Sequence, residues 1–115
     1  MGGAITTHVL DIASGRPAAA VPVALERETG LDEWHVIGRG ETDADGRLAT
    51  LMNDNALLVP GSYRLVFDTR RYFDAQGRRG FHPRVIVVFE VARGEEHYHV
   101  PLLLAPFGYT TYRGS

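Results

Sequence analysis

Apolar and polar residues alternate with a period of two along most of this chain. Such alternation is typical of strands that bury one face and expose the other. Seven runs carry this pattern, and each is predicted to be a strand. They are residues 5–12, 21–25, 34–37, 63–67, 85–91, 98–104 and a short final strand after Gly108.

Turn signals separate these runs, and little of the chain is suited to helix. Asp45-Gly46, within the tight turn 43–47, is the strongest hairpin signal in the sequence. Only two segments are compatible with a helix, 53–58 and 69–77, and the second would end at Gly77. We therefore predict an all-β fold, a sandwich or barrel with at most one short helix, forming a single domain over residues 1–115.

Composition and charge narrow the possible functions. The chain has no cysteine, which excludes disulfides and thiolate chemistry. It has 12 cationic residues, all arginine, and 14 acidic residues, which give a net charge of -2. Scattered, nearly neutral charge argues against a nucleic-acid partner. With no signal-peptide pattern and no apolar stretch long enough to cross a bilayer, we expect no membrane association and a cytoplasmic location.

Five histidines are the main candidates for chemistry. His97 and His99 are two residues apart on a predicted strand, so they share one face at a spacing of about 7 Å. If the first strand lies beside this one, His8 joins them, and three imidazoles then allow either a zinc site or general-base catalysis. No carboxylate is placed to orient zinc ligands, so we prefer the base. We expect His97 to face water, and His35 and His82 to be structural.

Two further features point to a site. Arg47 follows the Asp45-Gly46 turn, where an arginine is usually solvated but can also present its planar fork to an anion or a carbonyl group. The segment 97–115 combines aromatic residues, two prolines and an apolar run. Because chain ends are usually small, polar and loosely held, we expect this tail to be docked into the structure as part of the site.

Four motifs together resemble the 5-hydroxyisourate hydrolase family, the transthyretin-like enzymes of urate catabolism. They are Thr7-His8-Val9-Leu10-Asp11, Asp45-Gly46-Arg47, Tyr98-His99-Val100-Pro101-Leu102-Leu103-Leu104 and Tyr112-Arg113-Gly114-Ser115. The resemblance covers the whole chain in order. It implies a transthyretin-like sandwich of two four-stranded sheets, with one short helix between the fifth and sixth strands. It also implies a homotetramer, a dimer of dimers, with active sites in the channel between dimers.

The resemblance further implies which residues act on 5-hydroxyisourate. The residues implied to be catalytic are His8, Arg47, His99 and Ser115. Those implied to bind the substrate are His8, Arg47, Tyr112, Arg113 and Gly114. The family pattern calls for no metal and no organic cofactor. Ala105 and Phe107 stand where serine and tyrosine are common in the family, which removes two hydroxyls but no implied catalytic group.

Two other function classes remain open at this point. A transthyretin-type carrier would bind a hydrophobic, hormone-like molecule in the same channel, without catalysis. An adhesive or accessory β-sandwich would have no substrate site. His8, Arg47 and His99 discriminate between the classes, because a channel for hydrophobic ligands has no use for two bases and a guanidinium.

Overall fold

Two packed β-sheets and one short helix make up the part of the chain that the structure describes. The computed structural model describes residues 4–52, 58–94 and 96–115. The elements are β1 (Ile5–Asp11), β2 (Arg16–Pro17), β3 (Pro22–Gly30), β4 (Glu33–Glu41), β5 (Arg47–Leu48), β6 (Gly61–Phe67), α1 (Thr69–Asp74), β7 (Val85–Val91), β8 (Tyr98–Ala105) and β9 (Gly108–Thr111). The all-β prediction is confirmed. The other helix candidate, 53–58, lies outside the described residues except for its last position.

The two sheets contain different parts of the chain. One sheet has the order β2-β1-β8-β9, with β5 also paired to β1, and the other has the order β4-β3-β6-β7. The β1–β8 pair is parallel and joins the beginning of the chain to its end. Within the described ranges the sandwich has one strand more than the family resemblance implies, because the two-residue strand β2 adds to the first sheet. Without β2, α1 lies between the fifth and sixth strands, as expected.

The core between the sheets follows from the alternation in the sequence. In β1 the buried positions are Ile5, Thr7, Val9 and Asp11, while the residues between them remain partly accessible. In β8 and β6 the same alternation buries Leu102, Leu104, Leu65 and Phe67. Burying each such apolar side chain contributes about 1.5–3 kcal/mol. The opposite face of β1 and β8 carries the polar residues Thr6, His8 and His99 together with apolar ones such as Leu103.

The helix α1 ties the end of β1 to the rest of the molecule. It begins after Asp68, whose carboxylate accepts a hydrogen bond from the Arg71 N–H, and a turn ending at Gly77 follows it. The hydroxyl of Tyr72 donates to Asp11 Oδ2 at 2.8 Å, and Arg78 donates to the same oxygen at 2.7 Å. The prediction of a short helix within 69–77 is confirmed. This helix is too short to cross a membrane.

The Asp45-Gly46 turn is present but does not form a hairpin, so that part of the prediction is wrong. The strands on either side of it, β4 and β5, lie in different sheets, and β5 pairs with β1. The N–H of Val9 donates to the Gly46 carbonyl at 2.7 Å, which draws the turn onto β1. Asp-Gly favours a tight turn, but the partner of the following strand is chosen by packing between distant segments.

Candidate active site

The parallel pairing of β1 and β8 brings two of the predicted site histidines onto one outer face. Thr6 lies opposite His99, and His8 lies opposite Pro101, in the register of the two strands. Thr6, His8 and His99 are all partly accessible, whereas their neighbours in each strand are buried. The expectation that the first strand meets the strand of the histidine pair is confirmed, and His8 lies on the same outer face as His99.

The turn before β5 adds the guanidinium to this face. Asp43 Oδ1 accepts hydrogen bonds at 2.9 Å from the N–H groups of both Asp45 and Arg47. Gly46 has φ of 78°, and a Cβ at this position would lie only 2.4 Å from the Val9 carbonyl oxygen. Only glycine allows this close approach. As a result, Arg47 pairs with His8 across the β1–β5 edge.

These residues surround a polar pocket, which we call the histidine pocket. It has a volume of ≈ 270 Å³ and is lined by Thr6, Thr7, Arg47, Leu48, Ala49, His97, His99 and Ser115. His8 lies next to it rather than in its lining, with Nε2 at 2.9 Å from the Asp45 carbonyl oxygen. Because a carbonyl only accepts, Nε2 of His8 carries a proton, and in the neutral ring Nδ1 has the lone pair.

The environment of His99 keeps its imidazole neutral. Partial burial is the largest cause that lowers the pKa of His99 below 6.5, and the positive charges of His97, His8 and Arg47 lower it further. A neutral imidazole near neutral pH is the form that accepts a proton. Among the groups described, His99 is therefore well suited to act as a base.

The tail of the chain packs directly against this imidazole. Gly114 forms a bridge with His99, and its N–H donates to the His99 carbonyl at 2.8 Å. A Cβ on Gly114 would lie 2.6 Å from Cδ2 of the His99 ring. The missing Cβ of glycine thus lets the tail pass this close to the imidazole and brings Ser115 to the pocket.

Tyr112 and Arg113 are directed elsewhere within the chain. Arg113 donates to Glu96 Oε1 at 3.1 Å, and its guanidinium lies 4.6 Å from the centre of the Tyr98 ring. Both residues line a second hollow of ≈ 330 Å³, which also contains Val88 and Phe89. Of the four tail residues named from the sequence, Gly114 and Ser115 are therefore at the histidine pocket, and Tyr112 and Arg113 are not.

With this geometry established, comparison with known proteins identifies the family. A model of the HIUase/Transthyretin family matches residues 5–114. The chain belongs to this family. It is 45% identical to mouse 5-hydroxyisourate hydrolase over 112 residues, which are 96% of this chain and 94% of the mouse protein.

Solved structures similar to this chain include both a hydrolase and a protein in complex with a bound ligand. Klebsiella pneumoniae 5-hydroxyisourate hydrolase superposes with a TM-score of 0.83 at 38% identity, over 96% of this chain and 92% of the other. Sea bream transthyretin in complex with thyroxine superposes with a TM-score of 0.87 at 36% identity, over 96% and 93%. The fold alone therefore does not separate catalysis from binding, and the side chains of the site must do so.

Thr6 and His97 line the histidine pocket although neither was among the predicted site residues. The Thr6 hydroxyl lies 2.8 Å from His99 Nδ1 and 3.2 Å from His97 Nε2. The spacing of His97 and His99 indicated that these two side chains share a face, but nothing in the sequence indicated the Thr6 hydroxyl. His97 is exposed, as expected, yet it lines the pocket.

The remaining histidines and the two departures from the family pattern lie away from the pocket. His35 is exposed on β4, in the other sheet, and the His82 ring makes edge contacts with Phe81 and Tyr109 at about 5 Å. Phe107 is 74% exposed in the turn between β8 and β9. Across residues 4–52, 58–94 and 96–115, no group of three His, Asp or Glu side chains is arranged to hold a metal ion.

Proposed function

We propose that this chain hydrolyses 5-hydroxyisourate to 2-oxo-4-hydroxy-4-carboxy-5-ureidoimidazoline, a step of urate breakdown. The observation that carries the proposal is the histidine pocket, where a neutral imidazole, a second imidazole and a guanidinium lie around one cavity. The identity of 45% with mouse 5-hydroxyisourate hydrolase over nearly the full length of both chains supports it.

His99 is the general base in this mechanism. Its neutral ring takes a proton from a water molecule, and the water oxygen attacks the carbonyl carbon of the cyclic amide. A tetrahedral oxyanion forms, and its collapse breaks the C–N bond while the nitrogen leaving group takes a proton. General-base catalysis of this kind typically contributes 10²–10⁴-fold to the rate.

Arg47 stabilises the charge that develops on the substrate. Its planar guanidinium donates two parallel hydrogen bonds to a carbonyl or an anionic edge, and its position is set by the Asp43 carboxylate and the Gly46 turn. Such preorganised donors often supply the largest single share of catalysis in acyl transfer. The same positive charge lowers the pKa of His99 and keeps the base neutral.

His8 and the tail orient the other participants. His8 is held by the Asp45 carbonyl beside Arg47, where its second nitrogen helps to bind the attacking water. Ser115 lines the histidine pocket and orients the substrate there, while Gly114 fixes the tail against His99. Tyr112 and Arg113 bind substrate only if a neighbouring subunit places them at its site.

A carrier function for hydrophobic molecules fits this pocket poorly. An apolar ligand placed against His99, Arg47 and Thr6 would remove water from their polar atoms without replacing the hydrogen bonds. Each buried polar group left without a partner costs about 1–3 kcal/mol. The polar lining of the histidine pocket therefore supports catalysis on a polar ring over storage of an apolar one.

The assembly we propose is the homotetramer of the family, a dimer of dimers. In the described sheets β7 pairs only with β6, and β9 only with β8, so both are edge strands. Val88 on β7 is 59% exposed, and Tyr112, directly after β9, is 54% exposed. Exposed apolar edges favour pairing with another chain, and a second copy offers the same edges. The cytoplasmic location expected from the sequence stays a prediction.

The test is turnover of freshly generated 5-hydroxyisourate, followed by ultraviolet absorbance. We expect the parent protein to accelerate ring opening, and Arg47→Ala to lower kcat/KM by about 10²–10³-fold, as for removal of one oxyanion donor. Arg39→Ala, at an exposed position on the outer face of the other sheet, is the matched control and should leave kcat/KM unchanged. A parent rate equal to the spontaneous rate would contradict the proposal.

A further inference from the structure

The Thr6 hydroxyl connects the two histidines of the His-x-His pair. Oγ1 lies 2.8 Å from Nδ1 of His99 and 3.2 Å from Nε2 of His97. His99, at one end of this series of contacts, is partly buried, and His97, at the other end, is exposed. The three side chains thus form a continuous hydrogen-bonded path from the partly buried imidazole of His99 to the exposed imidazole of His97.

Hydrogen-bond chemistry allows this path only two neutral arrangements. A hydroxyl donates one proton, so Thr6 donates to one imidazole nitrogen and accepts from the other. When it donates to His97, His99 carries its proton on Nδ1 and has a lone pair on Nε2, which makes it a base. When it donates to His99, that ring carries its proton on Nε2 and acts as an acid.

We propose that Thr6 is a positioning residue that couples the tautomers of His97 and His99, and that the exposed His97 holds the proton which His99 removes from water. The catalytic part of this inference rests on the proposed hydrolysis. The coupling itself rests only on the contacts of Thr6.

The proton transfers balance at each step. Nε2 of His99 takes the proton from water, the Nδ1 proton of His99 passes to Thr6 Oγ1, and the Thr6 proton passes to Nε2 of His97. His99 is then neutral with its proton on Nε2, and His97 is positively charged. The reverse sequence, once His99 has given its Nε2 proton to the leaving nitrogen, restores the starting arrangement.

Electrostatics explains why the charge moves outward. Partial burial and the charges of His97, His8 and Arg47 oppose a positive charge on His99 and lower its pKa. His97 faces solvent beside the Glu96–Arg113 ion pair, and its carbonyl accepts from Arg113 at 3.3 Å. A positive charge is better solvated at an exposed site than at a partly buried one.

The experiment records ¹⁵N chemical shifts of the imidazole nitrogens in the intact labelled protein across a pH titration. When His97 gains its second proton, its Nε2–H must donate to Thr6, so the Thr6 proton turns to His99 Nδ1. We therefore expect His99 to change from the Nδ1–H to the Nε2–H form as His97 titrates. This change should persist in Thr6→Ser and disappear in Thr6→Val, which has the same shape without the hydroxyl.

Kinetics supply the second readout. We expect Thr6→Val to lower kcat about tenfold with little change in KM, and Thr6→Ser to restore most of the rate. His97→Ala should lower kcat similarly and regain activity with added imidazole, because a soluble base replaces the missing proton acceptor.

The outcomes separate this inference from the proposed function. If the parent does not open 5-hydroxyisourate, the proposed function fails, while the ¹⁵N titration still decides the coupling. If the parent turns over normally but His99 keeps one tautomer while His97 titrates, or if Thr6→Val retains the change, the coupling is refuted. Full kcat in Thr6→Val would refute its catalytic part.

Discussion

The two faces of the β1–β8 pair differ sharply although the same strands build both. Inside, Ile5, Val9 and Leu102 are completely buried among apolar neighbours. Outside, Thr6 and His99 are partly accessible and hydrogen-bonded to each other at 2.8 Å. Alternate residues of one strand therefore contribute either to the stability of the sandwich or to the chemistry of its surface.

Because successive side chains point to opposite faces, the core holds the site in register. The parallel pairing that packs Val9 against the core also sets Thr6 opposite His99. Substitutions on the inner face should therefore lower stability with little effect on turnover, and substitutions on the outer face should lower turnover with little effect on stability.

The largest expected effect is on the inner face. Leu102→Ala should lower the free energy of unfolding by about 2–5 kcal/mol, because the side chain is fully buried and its removal leaves a cavity. Chemical denaturation measures the loss, and kcat per folded molecule should stay close to that of the parent. Ile12→Ala, at a side chain 56% exposed, is the control and should change stability by less than about 0.5 kcal/mol. A large loss of kcat with unchanged stability would contradict the division between an inner face that stabilises the fold and an outer face that carries the chemistry.

A smaller effect is expected at Asp11, the charged residue of the inner face. Burial alone would raise the pKa of this carboxyl, but hydrogen bonds from Arg78, Tyr72 and Ser14 outweigh it and lower the pKa from 3.8 to about 2. A carboxyl whose pKa is lowered by folding stabilises the folded state at every pH above its ordinary pKa. This contribution, about 2 kcal/mol, is lost as the pH falls from about 5 through 2.

Acid titration of unfolding measures this contribution. Asp11→Asn should remove most of this acid dependence and lower stability at pH 7. Asp74→Asn, at an exposed aspartate at the end of α1, is the matched control. An unchanged acid profile in Asp11→Asn would show that the network of Asp11, Tyr72 and Arg78 contributes nothing to the fold.

The smallest expected effect is on the outer face. Gly114→Ala places a Cβ 2.6 Å from the His99 ring, so the ring or the tail must shift. We expect kcat to fall about tenfold, since displacement of a catalytic group by a fraction of an ångström is costly, with little change in stability. Gly108→Ala, where an added Cβ meets nothing within 4 Å, should retain the parent kcat. Equal kcat values in the two variants would show that Gly114 does not contribute to the site.

Local patterns in the sequence were sufficient for the long strands and the helix and for part of the site, but not for the two-residue strands β2 and β5. Alternation predicted the long strands, and the turn at Gly77 marked the end of the only helical segment among those described. His97 and His99 lie two residues apart on one strand, so their shared face followed from strand geometry. These features depend on neighbouring residues, which a sequence displays directly.

What the tertiary structure alone decided is which distant segments meet. The sequence indicated a hairpin at Asp45-Gly46, whereas β5 pairs with β1 and so brings Arg47 beside His8. The Thr6 hydroxyl became a partner of His99 only through the β1–β8 register, across 93 positions of sequence. Gly114 approaches the same ring through a bridge that no local pattern records. Pairing between remote strands is selected by burial of the whole core, so the sequence determined the strands and their faces, and packing determined the pocket.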